Sequence, residues 1–126
     1  MDSNDKRSQV SFFKSFSYAF AGIANAIRYE KNMRFHVCSS IVILIVAYYF
    51  SITKTEWLFI LMAIGGMLVL ELVNTAIERV VDLVTKEYHP LAKQAKDLAA
   101  GAVFVYAILS VAIGIIVFLP YIFKLG

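Results

Sequence analysis

The chain has 126 residues, 60% of them hydrophobic and 17% charged, with a mean hydropathy of +0.74. Soluble domains carry about 25% charged residues, so the composition argues against a soluble globular enzyme, and the length excludes the cores of large kinases or dehydrogenases. The net charge of +3 is modest, no nucleic-acid partner is expected, and one cysteine, Cys38, excludes an intramolecular disulfide or a multi-cysteine metal cluster.

In chain order, residues 1–7 are polar and expected to be mobile. Phe12, Phe16, Phe20, Ile23 and Ile27 then recur at helical spacing, with Lys14, Ser17, Asn25 and Arg28 on other faces. This pattern predicts an amphipathic helix over about residues 8–30, lying in the membrane interface or packed on the spans.

Three apolar stretches follow. Val37 to Thr53 carries no charge, Trp57 to Val73 carries only Glu71, and Leu98 to Leu119 carries none over 22 residues. A helix needs about 20 residues to cross a hydrocarbon core about 30 Å thick. With their flanks, the stretches predict spans of about residues 35–54, 56–80 and 96–120. About 36 residues precede the first stretch and no small-residue cleavage site follows it, so it does not read as a signal peptide. The fold class expected is an all-α integral membrane protein, one domain over residues 1–126. Cys38, in the first span, reads as packing or lipid contact.

Charge placement gives the orientation. Ten of the 12 Lys and Arg residues precede the first stretch or lie between the second and third, leaving Lys54 and Lys124 on the other side. The positive-inside rule puts the N-terminus and second loop in the cytoplasm.

The run Glu71-Leu-Val-Asn-Thr-Ala-Ile-Glu78, continuing to Asp82, holds the chemistry. At about 100° per residue, Glu71, Asn74, Glu78 and Asp82 fall within about 80° of one another, and Thr75 lies on the same side. If the second span begins near Trp57, Glu71 sits about 7 Å inside the membrane and Glu78 at headgroup level. An ionisable group at membrane depth costs several kcal/mol and is functional by default. A second cluster, Lys93, Lys96 and Asp97 with Ala100, shares one face at the start of the third span. A third, Arg28, Glu30, Asn32 and Arg34, precedes the first span, where Glu30 could also be a plain i,i+4 partner of Arg34. His36 reads as an interfacial histidine.

Oxygen ligands at this density suit Mg²⁺, which binds through one or two carboxylates plus substrate phosphates. Phosphoryl transfer needs little beyond positioning, metal and electrostatics, and a desolvated carboxylate inside the membrane could serve as general base. No glycine-rich phosphate loop is present, so a nucleotide would be held by side chains and metal. An ion conduit is the rival reading, but the charge-free third span and the end of the polar stripe at Glu71 weigh against it. A non-catalytic assembly subunit, the other rival, would not need paired carboxylates at two depths.

Glu71 to Glu78, then Val-Val-Asp82, Glu87-Tyr-His89 and Ala95-Lys-Asp-Leu-Ala-Ala-Gly-Ala-Val103 resemble the prokaryotic diacylglycerol kinase family. The likeness runs from about Phe12 to the C-terminus. It is nearer to the Gram-positive branch, whose members act as undecaprenol kinases; Glu56-Trp57 and the Ala95–Val103 run suggest that branch. The resemblance implies a homotrimer with active sites shared between neighbouring subunits, in a bacterial cell membrane. It implies Glu71 as general base, and Glu30 and Glu78 as carboxylates for the magnesium of MgATP. Asn74, Lys96 and Asp97 would complete the phosphate and nucleotide contacts, with Tyr18, Glu87, Tyr88 and His89 beside the nucleotide. Ala100 stands where some members carry a hydroxyl residue that touches the lipid headgroup. The implied reaction is ATP-dependent phosphorylation of undecaprenol, with diacylglycerol as the alternative acceptor.

Overall fold

The computed structural model describes residues 2–125, and side chains for these except residues 2–6, 8, 10 and 125. The expected mobility of residues 1–7 falls largely on side chains outside the described residues, as do the two ends of the expected 1–126 domain. Four helices follow in order: α1 (Asp2–Tyr29), α2 (Lys31–Phe50), α3 (Lys54–Val84) and α4 (Pro90–Leu125).

Local chemistry sets each break. Glu30 leaves the helical region at φ −108° and ψ 115°, separating α1 from α2. The last carbonyls of α1, Ile27 and Arg28, accept hydrogen bonds from Arg34 Nη1 at 3.1 and 2.7 Å. They are the acceptors a helix end leaves without intrahelical partners. Arg34 is thus committed to backbone, and the i,i+4 pairing of Glu30 with Arg34 is not what forms; Glu30 turns to Arg79 instead.

At the other end of α2, Ser51 takes the left-handed conformation at φ 51° and ψ 51°. A capping box then starts α3: Glu56 N–H donates to Thr53 Oγ1 at 3.2 Å and Thr53 N–H to Glu56 Oε1 at 2.9 Å. Between α3 and α4, Glu87 N–H donates to Thr85 Oγ1, and Leu91 N–H donates to His89 Nδ1, which caps α4 ahead of Pro90.

The helix ends differ from the expected bounds, and α2 stops short, at Phe50 rather than 54. α1 begins at Asp2 rather than near residue 8, α2 at Lys31 rather than 35, α3 ends at Val84 rather than 80, and α4 begins at Pro90 rather than 96. Apolarity marks the part of a helix that lipid covers, whereas caps mark where the helix stops; most caps lie a turn or two beyond, and Ser51 ends α2 inside the expected span. Three helices, α2, α3 and α4, are long and apolar enough to cross a bilayer. Many of their large apolar side chains, such as Ile45, Leu61, Phe104 and Ile116, are exposed, as lipid contact allows.

α3 is the central element, packed most extensively on α4, then on α2, with α1 resting against α2 and α3. The apolar core lies where the α2–α3 turn meets the C-terminal part of α4: Ala47, Ile52, Ile60 and Val117 are buried, with Phe50, Trp57, Phe118 and Tyr121 around them. In the middle, Tyr106 of α4 donates its hydroxyl to the Met62 carbonyl at 2.6 Å, lying across Gly66. With one end of the bundle closed by this core, the polar stripe of α3 is held at the other.

Candidate active site

Among the described residues the buried polar side chains are Glu71, Asn74 and Thr75, exposed by 4%, 8% and 6%, all on α3. Their burial follows from their position on α3, facing α1 and the first turns of α2. Thr75 and Arg79 line a groove with Asn25 and Ala26 of α1. From α2, His36 Nε2 stands 3.7 Å from Glu71 Oε2. One turn from Glu71, the Asn74 Nδ2 group donates to Glu78 Oε1 at 3.3 Å. Asn74 Oδ1 is buried and has no hydrogen-bond partner.

Glu30 joins this region through Arg79, whose Nη2 lies 3.2 Å from Glu30 Oε1 while Nη1 donates to Asn25 Oδ1. One guanidinium thereby ties the end of α1, the α1–α2 break and α3 together. The charges of Glu30 and Glu78 both act on Glu71, so three carboxylates share one electrostatic neighbourhood. Farther along α3, Asp82 Oδ1 accepts from Lys96 Nζ of α4 at 2.6 Å. Lys93 and Asp97 pair one turn apart on α4, also at 2.6 Å, with both side chains mostly exposed.

The structure therefore brings together Glu71, Asn74, Glu78 and Glu30, and joins Asp82 to Lys96. Among the described residues no hydrogen bond or ion pair connects Tyr18, Glu87, Tyr88, His89 or Ala100 to that cluster; all five are exposed. His89 already has a structural task as the α4 cap.

Two contacting residues escaped the sequence reading. Arg79 counted only as a cytoplasmic charge, although it follows directly on Glu78, and His36 only as an interfacial residue. The signal for each lies across a helix pair, where periodicity along one helix gives no partner.

No group of three or more His, Cys, Asp or Glu side chains that could hold a metal ion is present among the described residues. The oxygen set that is present suits Mg²⁺ all the same. That ion is commonly bound through one or two protein carboxylates plus phosphate oxygens; Glu78 supplies one carboxylate next to Asn74 with its orphaned amide oxygen, and Glu30, held by Arg79, supplies a second. A buried acceptor without a partner costs about 1–3 kcal/mol, and a bound cation or donor would relieve it.

Three helices of bilayer length thus hold a buried carboxylate, Glu71, at the end of the bundle opposite the apolar core. The chain belongs to the prokaryotic diacylglycerol kinase family, whose sequence model matches residues 17–118. It is thus a multi-pass membrane lipid kinase, with ATP and a lipid alcohol as its substrates. It is 50% identical to an undecaprenol kinase of Bacillus subtilis over 121 residues, which is 95% of this chain and 98% of that protein. A diacylglycerol kinase of Synechocystis is 39% identical over 84% of this chain and 61% of its own length. A diacylglycerol kinase of Escherichia coli is 25% identical over 86% of this chain.

Proposed function

We propose that the protein phosphorylates undecaprenol with MgATP, making undecaprenyl phosphate, and that Glu71 is the general base. The observation that carries the chemistry is the burial of Glu71 with Asn74 on a span that carries no other charge between Trp57 and Val73. The identity of 50% over almost the whole length of an undecaprenol kinase supports the acceptor. Diacylglycerol is the second reading, favoured by the family's description and by the Synechocystis relative; its product would be phosphatidic acid.

In this reading the lipid hydroxyl reaches Glu71 laterally from the bilayer. Glu71 takes the hydroxyl proton as the alcohol oxygen bonds to the γ-phosphorus, and the bond to the bridging oxygen breaks to release ADP. Glu30 and Glu78 would hold magnesium, which when bound would neutralise part of the phosphate charge. Asn74, whose amide braces Glu78, would complete the phosphate contacts with its unpartnered carbonyl oxygen toward the metal. Lys96 and Asp97 contact phosphate and nucleotide from α4, and Tyr18, Glu87, Tyr88 and His89 lie beside the nucleotide. Ala100 faces the lipid headgroup. A neighbouring copy would bring the exposed residues among these to the Glu71 cluster, in keeping with the homotrimer with shared sites that the family resemblance implies. The chain acts as one domain, with α1 amphipathic at the cytoplasmic surface of a bacterial cell membrane and the N-terminus inside.

The test is a side-by-side assay of undecaprenol and diacylglycerol in mixed micelles with labelled ATP. The reading expects higher kcat/KM for undecaprenol; preference for diacylglycerol would replace the acceptor and leave the kinase chemistry standing.

A further inference from the structure

We propose that His36 is a positioning residue for Glu71, holding its carboxylate in the orientation from which it meets the acceptor hydroxyl. The proposal rests on the reading of Glu71 as the base and assigns the group that steers it. Glu71 is buried on α3 and His36 reaches it from α2, Nε2 to Oε2, at 3.7 Å, with the two side chains 5% and 20% exposed. Among the described residues no other lysine, arginine or histidine stands within ion-pair distance of this carboxylate. The other charges that act on it, Glu30 and Glu78, are carboxylates and repel it.

A glutamate side chain turns about three bonds. Enclosed by apolar helix faces and like charges, it has one fixed reference, the imidazole. That ring is itself restrained: Phe35 packs against it edge to face, with centroids 5.6 Å apart at 73°. His36 is also the one titratable residue lining an apolar cavity of about 330 Å³ between α2, α3 and α4. The imidazole therefore stands between an apolar interior and the base. A separation of 3.7 Å exceeds a hydrogen bond, and such contacts in unliganded sites often tighten only once substrate is bound.

In the reaction the hydroxyl proton passes to Glu71, the alcohol oxygen bonds to phosphorus and ADP leaves. His36 gains and loses no proton. It orients one carboxylate oxygen toward itself so that the other faces the alcohol.

The experiment compares full-length wild type, His36→Leu, His36→Gln, Glu71→Asp and Glu71→Asp with His36→Leu in undecaprenol mixed micelles. kcat and KM for MgATP are measured, with thermal unfolding in detergent as the check on folding. His36→Leu should lower kcat by about 10- to 100-fold, as a misplaced reacting group does, with KM for MgATP unchanged. His36→Gln keeps a donor at similar reach and should recover most of the loss. On the Glu71→Asp background, where the carboxylate has already withdrawn from the imidazole, His36→Leu should cost little more. Wild-type kcat in His36→Leu, a glutamine variant as slow as the leucine one, or fully multiplicative losses in the double variant would each overturn the proposal. Failure of the base assignment is separately visible, as a Glu71→Gln enzyme running at the wild-type rate.

Discussion

Asn74 shows how much one side chain can report about a site. Its amide nitrogen is spent on Glu78 while its buried carbonyl oxygen faces no donor, an arrangement that invites a cation or a donor from a substrate. Replacing it with alanine removes both the orphaned acceptor and the brace on Glu78. Asn74→Ala is therefore expected to fold at least as well as wild type and to raise KM for MgATP, measured by steady-state kinetics at varied MgATP. An unchanged KM with lost stability would make Asn74 a packing residue. Arg79 acts at the same scale from outside. With one guanidinium on Asn25 and Glu30, Arg79→Ala frees Glu30, and the expected outcome is weaker MgATP binding with a smaller effect on kcat at saturation. Because this ion pair is half exposed, its loss should cost stability by no more than about 1 kcal/mol.

Among the elements, the α3–α4 seam is the most demanding. A β-carbon on Gly66 would collide with the Tyr106 hydroxyl oxygen and the ring carbon that bears it. The ring cannot give way without breaking the bond to the Met62 carbonyl. Gly66→Ala is expected to destabilise by about 1–3 kcal/mol, as overpacking does, read as a lower unfolding temperature in detergent. Gly65, with open space where its β-carbon would stand, is the internal control and should tolerate alanine. The α2–α3 corner offers the opposite sign. Ser51 sits at φ 51°, where a non-glycine residue pays about 1–2 kcal/mol, so Ser51→Gly should raise the unfolding temperature.

These elements also show what the sequence could convey. Hydropathy located the three spanning helices, because apolarity over a bilayer's width is a one-dimensional signal. The stripe from Glu71 to Glu78 was legible for a similar reason, since helical periodicity places Asn74 and Thr75 with Glu71 before any packing is known. Helix ends were read less well: Thr53 with Glu56, and Pro90 after His89, were the caps that hydropathy ignores. Contacts between helices were not legible at all. Arg79 with Glu30, His36 with Glu71 and Tyr106 over Gly66 depend on how helices are rotated against each other, which one helix's pattern leaves open.

For the whole molecule, the distribution of exposure matters most. The cluster of Glu71, Asn74, Glu78 and Glu30 stands together, whereas Tyr88, Asp97 and Ala100 face outward from the same chain. A site completed by a second copy accounts for that separation, and the homotrimer that the family resemblance implies predicts a trimer on cross-linking of the detergent-solubilised enzyme. Mixing Glu71→Gln subunits with Asp97→Asn subunits should then restore activity in hybrid oligomers, because some shared sites receive both intact residues. No recovery on mixing would place each site within one subunit.

The central claim is that a buried carboxylate on α3 activates a membrane alcohol, and the most direct measurement is transfer of labelled γ-phosphate from MgATP to undecaprenol in mixed micelles by wild type and Glu71→Gln. The account predicts transfer by the wild type and a loss of about 100- to 10,000-fold in kcat for the glutamine variant, with its fold intact. Equal rates from the two enzymes would contradict it.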